Sequence, residues 1–252
     1  MKTNKLITRR NAIMTGLASV GGLFLPGCSN RLPPTYGHIL RMGDNLTYAA
    51  HRALLPGQSM AREYSQKDVS SFPATGTTNP GDPNNPKSSE TYRRLRRDGF
   101  TEWRLSVEGL VARPGSYSLA DLKRFPSRTQ ITKHVCEEGW SAIGEWTGVP
   151  LSGVLDAAGL LPTARYVNFY SYDDWADSID MIDALHPQTL LAYGMNGREL
   201  PIAHGAPVRL RVETQVGYKS MKYLQRIVVK DEFDDGGQNG NIQTGWAWYV
   251  GI

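Results

Sequence analysis

Cysteine is nearly missing from this 252-residue chain, occurring only at Cys28 and Cys136. There is no Cys-x-x-Cys pair and no paired-histidine spacing, which excludes a self-sufficient zinc site. No Cys-x-x-Cys-His exists to attach a c-type haem. Long hydrophobic runs are lacking too: the uncharged stretch Ala12 to Gly27 is too short and glycine-rich to span about 30 Å of hydrocarbon. No internal repeat or low-complexity run occurs. The formal charge of +4 sits at the start of the chain, because residues 1–27 hold Lys2, Lys5, Arg9 and Arg10 and no acid. The remainder balances 24 basic against 24 acidic side chains. Such neutrality gives no argument for nucleic-acid binding.

Thr8-Arg9-Arg10-Asn11, ahead of the uncharged stretch, has the layout of a twin-arginine export signal over residues 1–27. Leu25-Pro26-Gly27-Cys28 resembles a lipobox, in which Cys28 would carry a lipid and become the mature N-terminus. The expected location is the periplasm or cell envelope. With Cys28 processed, Cys136 has no intramolecular disulfide partner and the fold must stand on packing. Roughly 225 residues suffice for one sizeable core.

Residues 28–102 read as an irregular wrapping segment, 103–232 as the core and 233–252 as a tail packed on it through Trp246, Trp248 and Tyr249. Within the wrapping segment Leu54 to Glu63 is a candidate short element. Phe72 to Ser89, with four prolines, two glycines and three asparagines, is a loop. Glu90 to Arg97 predicts a helix with Arg93, Arg94, Arg96 and Arg97 on a solvated face. Ser118 opens another through Asp121, Leu122 and Phe125. Strands are predicted over Trp103 to Gly109, Arg128 to Val135, Tyr166 to Tyr172, Ser178 to Ile182, Thr189 to Tyr193, Glu199 to Ile202, Val208 to Val212 and Arg226 to Lys230. Asn196-Gly197 is a hairpin turn. Short strands with occasional helices, not alternating βαβ units, give a single α+β domain with a mixed β-sheet.

The strand Arg128 to Val135 delivers Cys136 to its end, at the start of a loop. Gly139, Gly144 and Gly148 break up the segment after it. Pro150 begins a helix whose Leu151, Val154 and Leu155 form an apolar stripe ending at Gly159. Cys136 has three readings. It is a buried core thiol; or a nucleophile, with His134 two residues away on the same strand face as the candidate base; or a soft ligand to a transition metal. In the last case the metal arrives inside a cofactor that brings its other ligands. Spacing leaves all three open.

Cys136-Glu137-Glu138-Gly139-Trp140-Ser141, followed by Trp146-Thr147-Gly148-Val149-Pro150-Leu151, resembles the cysteine segment of the sulfite oxidase and YedY-type molybdenum enzymes. His186 to Ile227 (HPQTLLAYGMNGRELPIAHGAPVRLRVETQVGYKSMKYLQRI) is similar to that family's second signature. The similarity covers roughly Trp103 to Asp231. It implies a molybdopterin-binding domain of sulfite oxidase type holding one molybdenum, with Cys136 as the catalytic thiolate ligand. It also implies cofactor contacts at Ser171, His204, Arg209, Ser220, Met221 and Lys222, the phosphate tail among the basic ones, with Gly205 and Gly217 letting the backbone approach. By themselves Arg209 also reads as a surface strand charge and Lys222 as a solvated lysine, and some relatives carry asparagine in place of His204. The implied reaction is oxygen-atom transfer at molybdenum. Sulfite-oxidising relatives follow their cysteine with a basic run, whereas Glu137 and Glu138 stand here, so reduction of an S-oxide is expected and sulfite-type oxidation is the alternative. Arg31 to Glu102 does not align with the methionine sulfoxide reductases of this type. The appended cytochrome b5 and dimerisation domains do not occur in the chain. The expectation is therefore a monomer, with a separate electron-transfer partner such as a membrane haem protein. Other classes remain: a cofactor-free exported binding lipoprotein with this fold, or a Cys136-nucleophile hydrolase without molybdenum.

Overall fold

The computed structural model describes residues 42–55, 57, 59–234, 240 and 245–252, all within one compact unit, 34–252. The expected export signal and Cys28 lie outside the described residues. Two five-stranded sheets carry the fold. The first has the order β2-β1-β10-β5-β6, from β1 (Leu105–Gly109), β2 (Gly115–Tyr117), β5 (Tyr166–Ser171), β6 (Ala176–Asp180) and β10 (Leu224–Lys230). Its β1 and β10 run parallel and its other pairs antiparallel, which makes the sheet mixed as expected. The second runs β3-β4-β7-β8, with β9 also on β7, all antiparallel: β3 (Arg128–Val135), β4 (Ser141–Pro150), β7 (Leu190–Met195), β8 (Arg198–Glu199) and β9 (Arg209–Arg211).

The helices are α1 (Met42–Leu54), α2 (Glu90–Arg97), α3 (Leu119–Leu122), α4 (Leu151–Ala158) and α5 (Met181–Ala184). Ser89 caps α2, its side chain accepting from the Tyr92 amide at 3.2 Å. Tyr92 and Leu95 bury one side of α2 while Arg94, Arg96 and Arg97 stay exposed on the other. After α4 the chain turns at Gly159 (φ +73°), and the Arg113 guanidinium donates to the last helical carbonyls, Ala157 among them at 2.7 Å. Leu151, Val154 and Leu155 of α4 pack with Val107, Phe169, Leu191, Leu210 and Ile227 from both sheets in one core. Trp248 and Tyr249 are buried against Tyr48, but Trp246 is half-exposed.

The elements depart from expectation in several places; the strand expected over Glu199 to Ile202 is only Arg198–Glu199, and Ile202 begins a 3-10 turn. Gly144 and Gly148 do not break the segment after Cys136; they lie inside the ten-residue strand β4. Gly148 is needed for close approach of two strands: a Cβ there would stand 2.3 Å from the Leu191 carbonyl oxygen, beside a register shift in β4. The strand expected over Ser178 to Ile182 ends at Asp180, whose carboxylate accepts from the Asp183 amide at 2.9 Å and starts α5. In the wrapping segment the unexpected regular element is α1, which precedes the Leu54 to Glu63 candidate and meets it only at Leu54. The chain after it lies along the β3–β4 hairpin, Tyr64 and Ser70 donating to the carbonyls of Ile131 and Ile143.

Candidate functional site

Strands β3 and β4 pair from Arg128 opposite Gly148 to Val135 opposite Ser141, so residues 136–140 form the hairpin tip. The Cys136 amide donates to the Trp140 carbonyl at 2.9 Å, and Gly139 turns the tip at φ +88°. Cys136 is buried, with Sγ 3.5 Å from a Glu137 carboxylate oxygen. Burial, reinforced by the Glu137 charge, pushes the thiol up to about 11. His134 beside it is pushed down to about 2, by burial first and then by Arg211 and Arg209. A protonated thiol next to an imidazole of such low basicity is a poor nucleophile pair.

The hairpin tip opens onto a cavity of about 290 Å³. Its wall includes Cys136, His204, Arg209, Ser220, Met221 and Lys222, so six of the seven site residues expected from sequence come together. Arg209 opens β9, fully inside the protein, over the Trp146 ring at 5.0 Å; it donates to the carbonyls of His204 (3.0 Å) and Ser220 (2.7 Å). Lys222 reaches across to the wrapping segment, donating to the carbonyls of Thr75 (2.8 Å), Thr77 and Ala203 (3.2 Å). Neither is the surface charge that sequence also allowed. Ser220 is tied inward, its hydroxyl accepting from the Val212 amide at 3.1 Å. His204 is pushed down to about 4, by burial and then by Arg209.

Ser171 stands apart from the cavity wall. Its hydroxyl donates to Asp173 at 2.6 Å, and Asp173 faces the cavity in its place. Gly205 and Gly217 each stand against a cavity-lining side chain. A Cβ at Gly217 would meet the His134 ring at 2.3 Å, and one at Gly205 the Lys222 side chain at 2.9 Å. Both glycines make room for side chains that line the cavity. Sequence reasoning missed Phe72, Thr75, Thr77, Trp140, Asp173 and Trp175 on the wall. Only the glycine and proline pattern marked the 72–77 stretch, and that signals a loop of any purpose.

The donor set fits a molybdopterin. The hydrogen-bond partners of Arg209 and Lys222 are all backbone carbonyls, so Glu213 and Asp173 offset the two charges only through space and burial outweighs them. Burial pushes Arg209 down to about 9 and Lys222 to about 8, each further depressed by a neighbouring guanidinium. A phosphate relieves both penalties. The buried thiol supplies a soft ligand once metal charge displaces its proton. Among the described residues no cluster of three or more His, Cys, Asp or Glu side chains is placed to hold a metal. A molybdenum held by Cys136 would therefore take its remaining ligands from the cofactor and from solvent.

The oxidoreductase molybdopterin binding domain pattern matches residues 93–237, more than half of the chain. An Azospira oryzae protein with the provisional name protein-methionine-sulfoxide reductase subunit YedZ1 is 40% identical over 157 residues, 62% of this chain and 59% of that protein. The protein-methionine-sulfoxide reductase catalytic subunit MsrP of Ralstonia nicotianae is 36% identical over 52% of this chain and 44% of its own length. The chain thus spans about half the length of the curated relatives it matches. The crystal structure of the sulfane dehydrogenase SoxCD from Paracoccus pantotrophus superposes with a TM-score of 0.49 and 28% identity, over 52% of this chain and 39% of that one. On the strength of the matched domain and the thiol and cations it brings together, the chain belongs to the oxidoreductase molybdopterin binding domain family, and its cofactor is molybdopterin.

Proposed function

We propose that this oxidoreductase removes the oxygen atom from an S-oxide, of the kind found in methionine sulfoxide residues. The observation that carries the reading is the polarity of the cavity. Cations line its inner wall at Arg209 and Lys222, while the loop bearing the thiol presents Glu137 and Glu138. Two carboxylates beside the reactive end repel a sulfite dianion and tolerate a neutral sulfoxide. Trp140 and Trp175 on the wall, with the half-exposed Trp246 stacked on Tyr218 at 5.3 Å, offer ring faces and edges to a methyl-sulfur group. The chemistry supplied by the bound cofactor is oxygen-atom transfer, in which a sulfoxide, two electrons and two protons give a sulfide and water. The electrons come from a separate partner, such as a membrane haem protein, and the chain acts as a monomer. The relatives named as protein-methionine-sulfoxide reductases favour the same substrate class.

The test is molybdenum and pterin content in wild type and Cys136→Ser from an export-competent bacterial host, followed by turnover. Near-stoichiometric molybdenum that is lost in the variant is expected, with reduction of methionine sulfoxide by a low-potential dye and no oxidation of sulfite. Folded wild type without metal would favour a binding module, and sulfite turnover would reverse the direction proposed. We also place the protein in the periplasm or cell envelope, exported through Arg9-Arg10 and lipid-anchored at Cys28. Replacing both arginines by lysine should leave the precursor in the cytoplasmic fraction; normal export would overturn that route.

A further inference from the structure

We propose that His134 is a substrate-binding residue whose Nε2–H donates a hydrogen bond to the sulfoxide oxygen, an inference that rests on the S-oxide reading above. His134 lies on the buried face of β3 with Gln130 and Thr132, two residues before Cys136, and lines the cavity. Arg211 approaches its Nδ1 at 2.9 Å. A guanidinium has only donors, so Nδ1 accepts and the ring proton resides on Nε2. Arg211 cannot turn away, because Glu213 grips it at 2.7 and 3.0 Å and itself accepts from Gln130 at 3.1 Å. Phe72 and Trp140 flank the ring at centroid distances of 5.1 and 5.4 Å, and Gly217 closes it in where a Cβ would clash.

The side chain is therefore fixed and only 8% exposed, and its Nε2 makes no hydrogen bond to the described residues and stays open to the cavity rather than fully buried. A fixed N–H that reaches the cavity and has no protein acceptor is free to donate to a molecule bound there. The acceptor it suits is a neutral, strongly polar oxygen near the thiol. With Arg209 and Lys222 given to the phosphate, discrimination against a dianion falls to Glu137 and Glu138 on the same wall.

The test uses molybdenum-loaded protein labelled with 15N-histidine, dimethyl sulfoxide as the spectroscopic probe, and methionine sulfoxide titrated by tryptophan fluorescence. Dimethyl sulfoxide should shift the His134 Nε2–H resonance downfield while Nδ1 stays unprotonated. His134→Phe should weaken methionine sulfoxide binding roughly three- to tenfold at unchanged molybdenum content. His134→Gln, which retains a donor and an acceptor, should recover most of the loss. A silent Nε2–H resonance in wild type that binds sulfoxide, or undiminished binding by His134→Phe, overturns this inference alone. Parallel loss of molybdenum assigns His134 to holding the cofactor and also overturns it. Wild type that binds no sulfoxide overturns the S-oxide reading itself. The resonance is read on wild type, so a variant that fails to fold leaves the test decidable.

Discussion

Lys222 is a buried charge that Asp173 offsets only in part. In the cofactor-free protein burial, and then Arg209, push it down from 10.5 to about 8. The folded lysine thus sheds its proton near pH 8 and the unfolded one near 10.5, so the unfolded state binds more protons between these values. Stability then rises with pH through that window, and the cost, on the order of 3 kcal/mol, is fully present below pH 8. Apo wild type should gain melting temperature from pH 7.5 to 10 relative to Lys222→Gln, and inorganic phosphate at pH 7.5 should stabilise wild type more than the variant. Parallel pH curves for the two proteins would show that Lys222 is not a strained cation. His204, Arg209, Ser220 and Met221 share its cavity, and all five positions were legible in the sequence through long-range resemblance. Ser171 was named on the same basis, but its hydroxyl is spent on Asp173. A one-residue match cannot reveal that a neighbour two positions on intervenes.

Elements were legible where local chemistry and burial agree. Helix α2 has its cap at Ser89 and its buried pair at Tyr92 and Leu95, and α4 ends on Gly159. Sequence pattern failed where packing, not local preference, decides. In α1 only Tyr48 is buried, while Met42, Leu46 and Leu54 face outward, so no apolar stripe announces the helix. Glycine in β4 resembles a breaker, yet Gly148 is selected by the closeness of β7, a constraint set by a strand some forty residues away. The loop that supplies Phe72, Thr75 and Thr77 gives the cavity a ring and two carbonyls. Backbone acceptors leave no trace in side-chain identity, which hid this half of the site.

Across the whole molecule, Arg52 ties the first described helix to the core and to the chain's last residues. Its guanidinium bridges Asp180 at 3.0 Å and Asp183 at 2.7 Å and lies over the rings of Tyr48 and Tyr249 at 5.0 and 5.1 Å. Tyr48 also donates to Asp180 at 2.8 Å, and Gln215 to Asp183 at 2.6 Å. Burial, then the Asp183 charge, raises Asp180 to about 6 even with Arg52 in place. Arg52→Met leaves two buried carboxylates facing each other, and loss of one partner of such a pair costs about 3–5 kcal/mol. Without Arg52 the Asp180 carboxyl is raised further above about 6, so the deficit against wild type is complete only above that higher value and shrinks as pH falls toward 6. Urea unfolding of Arg52→Met should therefore show a larger deficit against wild type at pH 8 than at pH 5, and Asp180→Asn in the same chain should restore part of it at pH 8. An equal deficit at both pH values, unrelieved by Asp180→Asn, would mean that guanidinium packing on Tyr48 and Tyr249, not charge, holds α1 to the core.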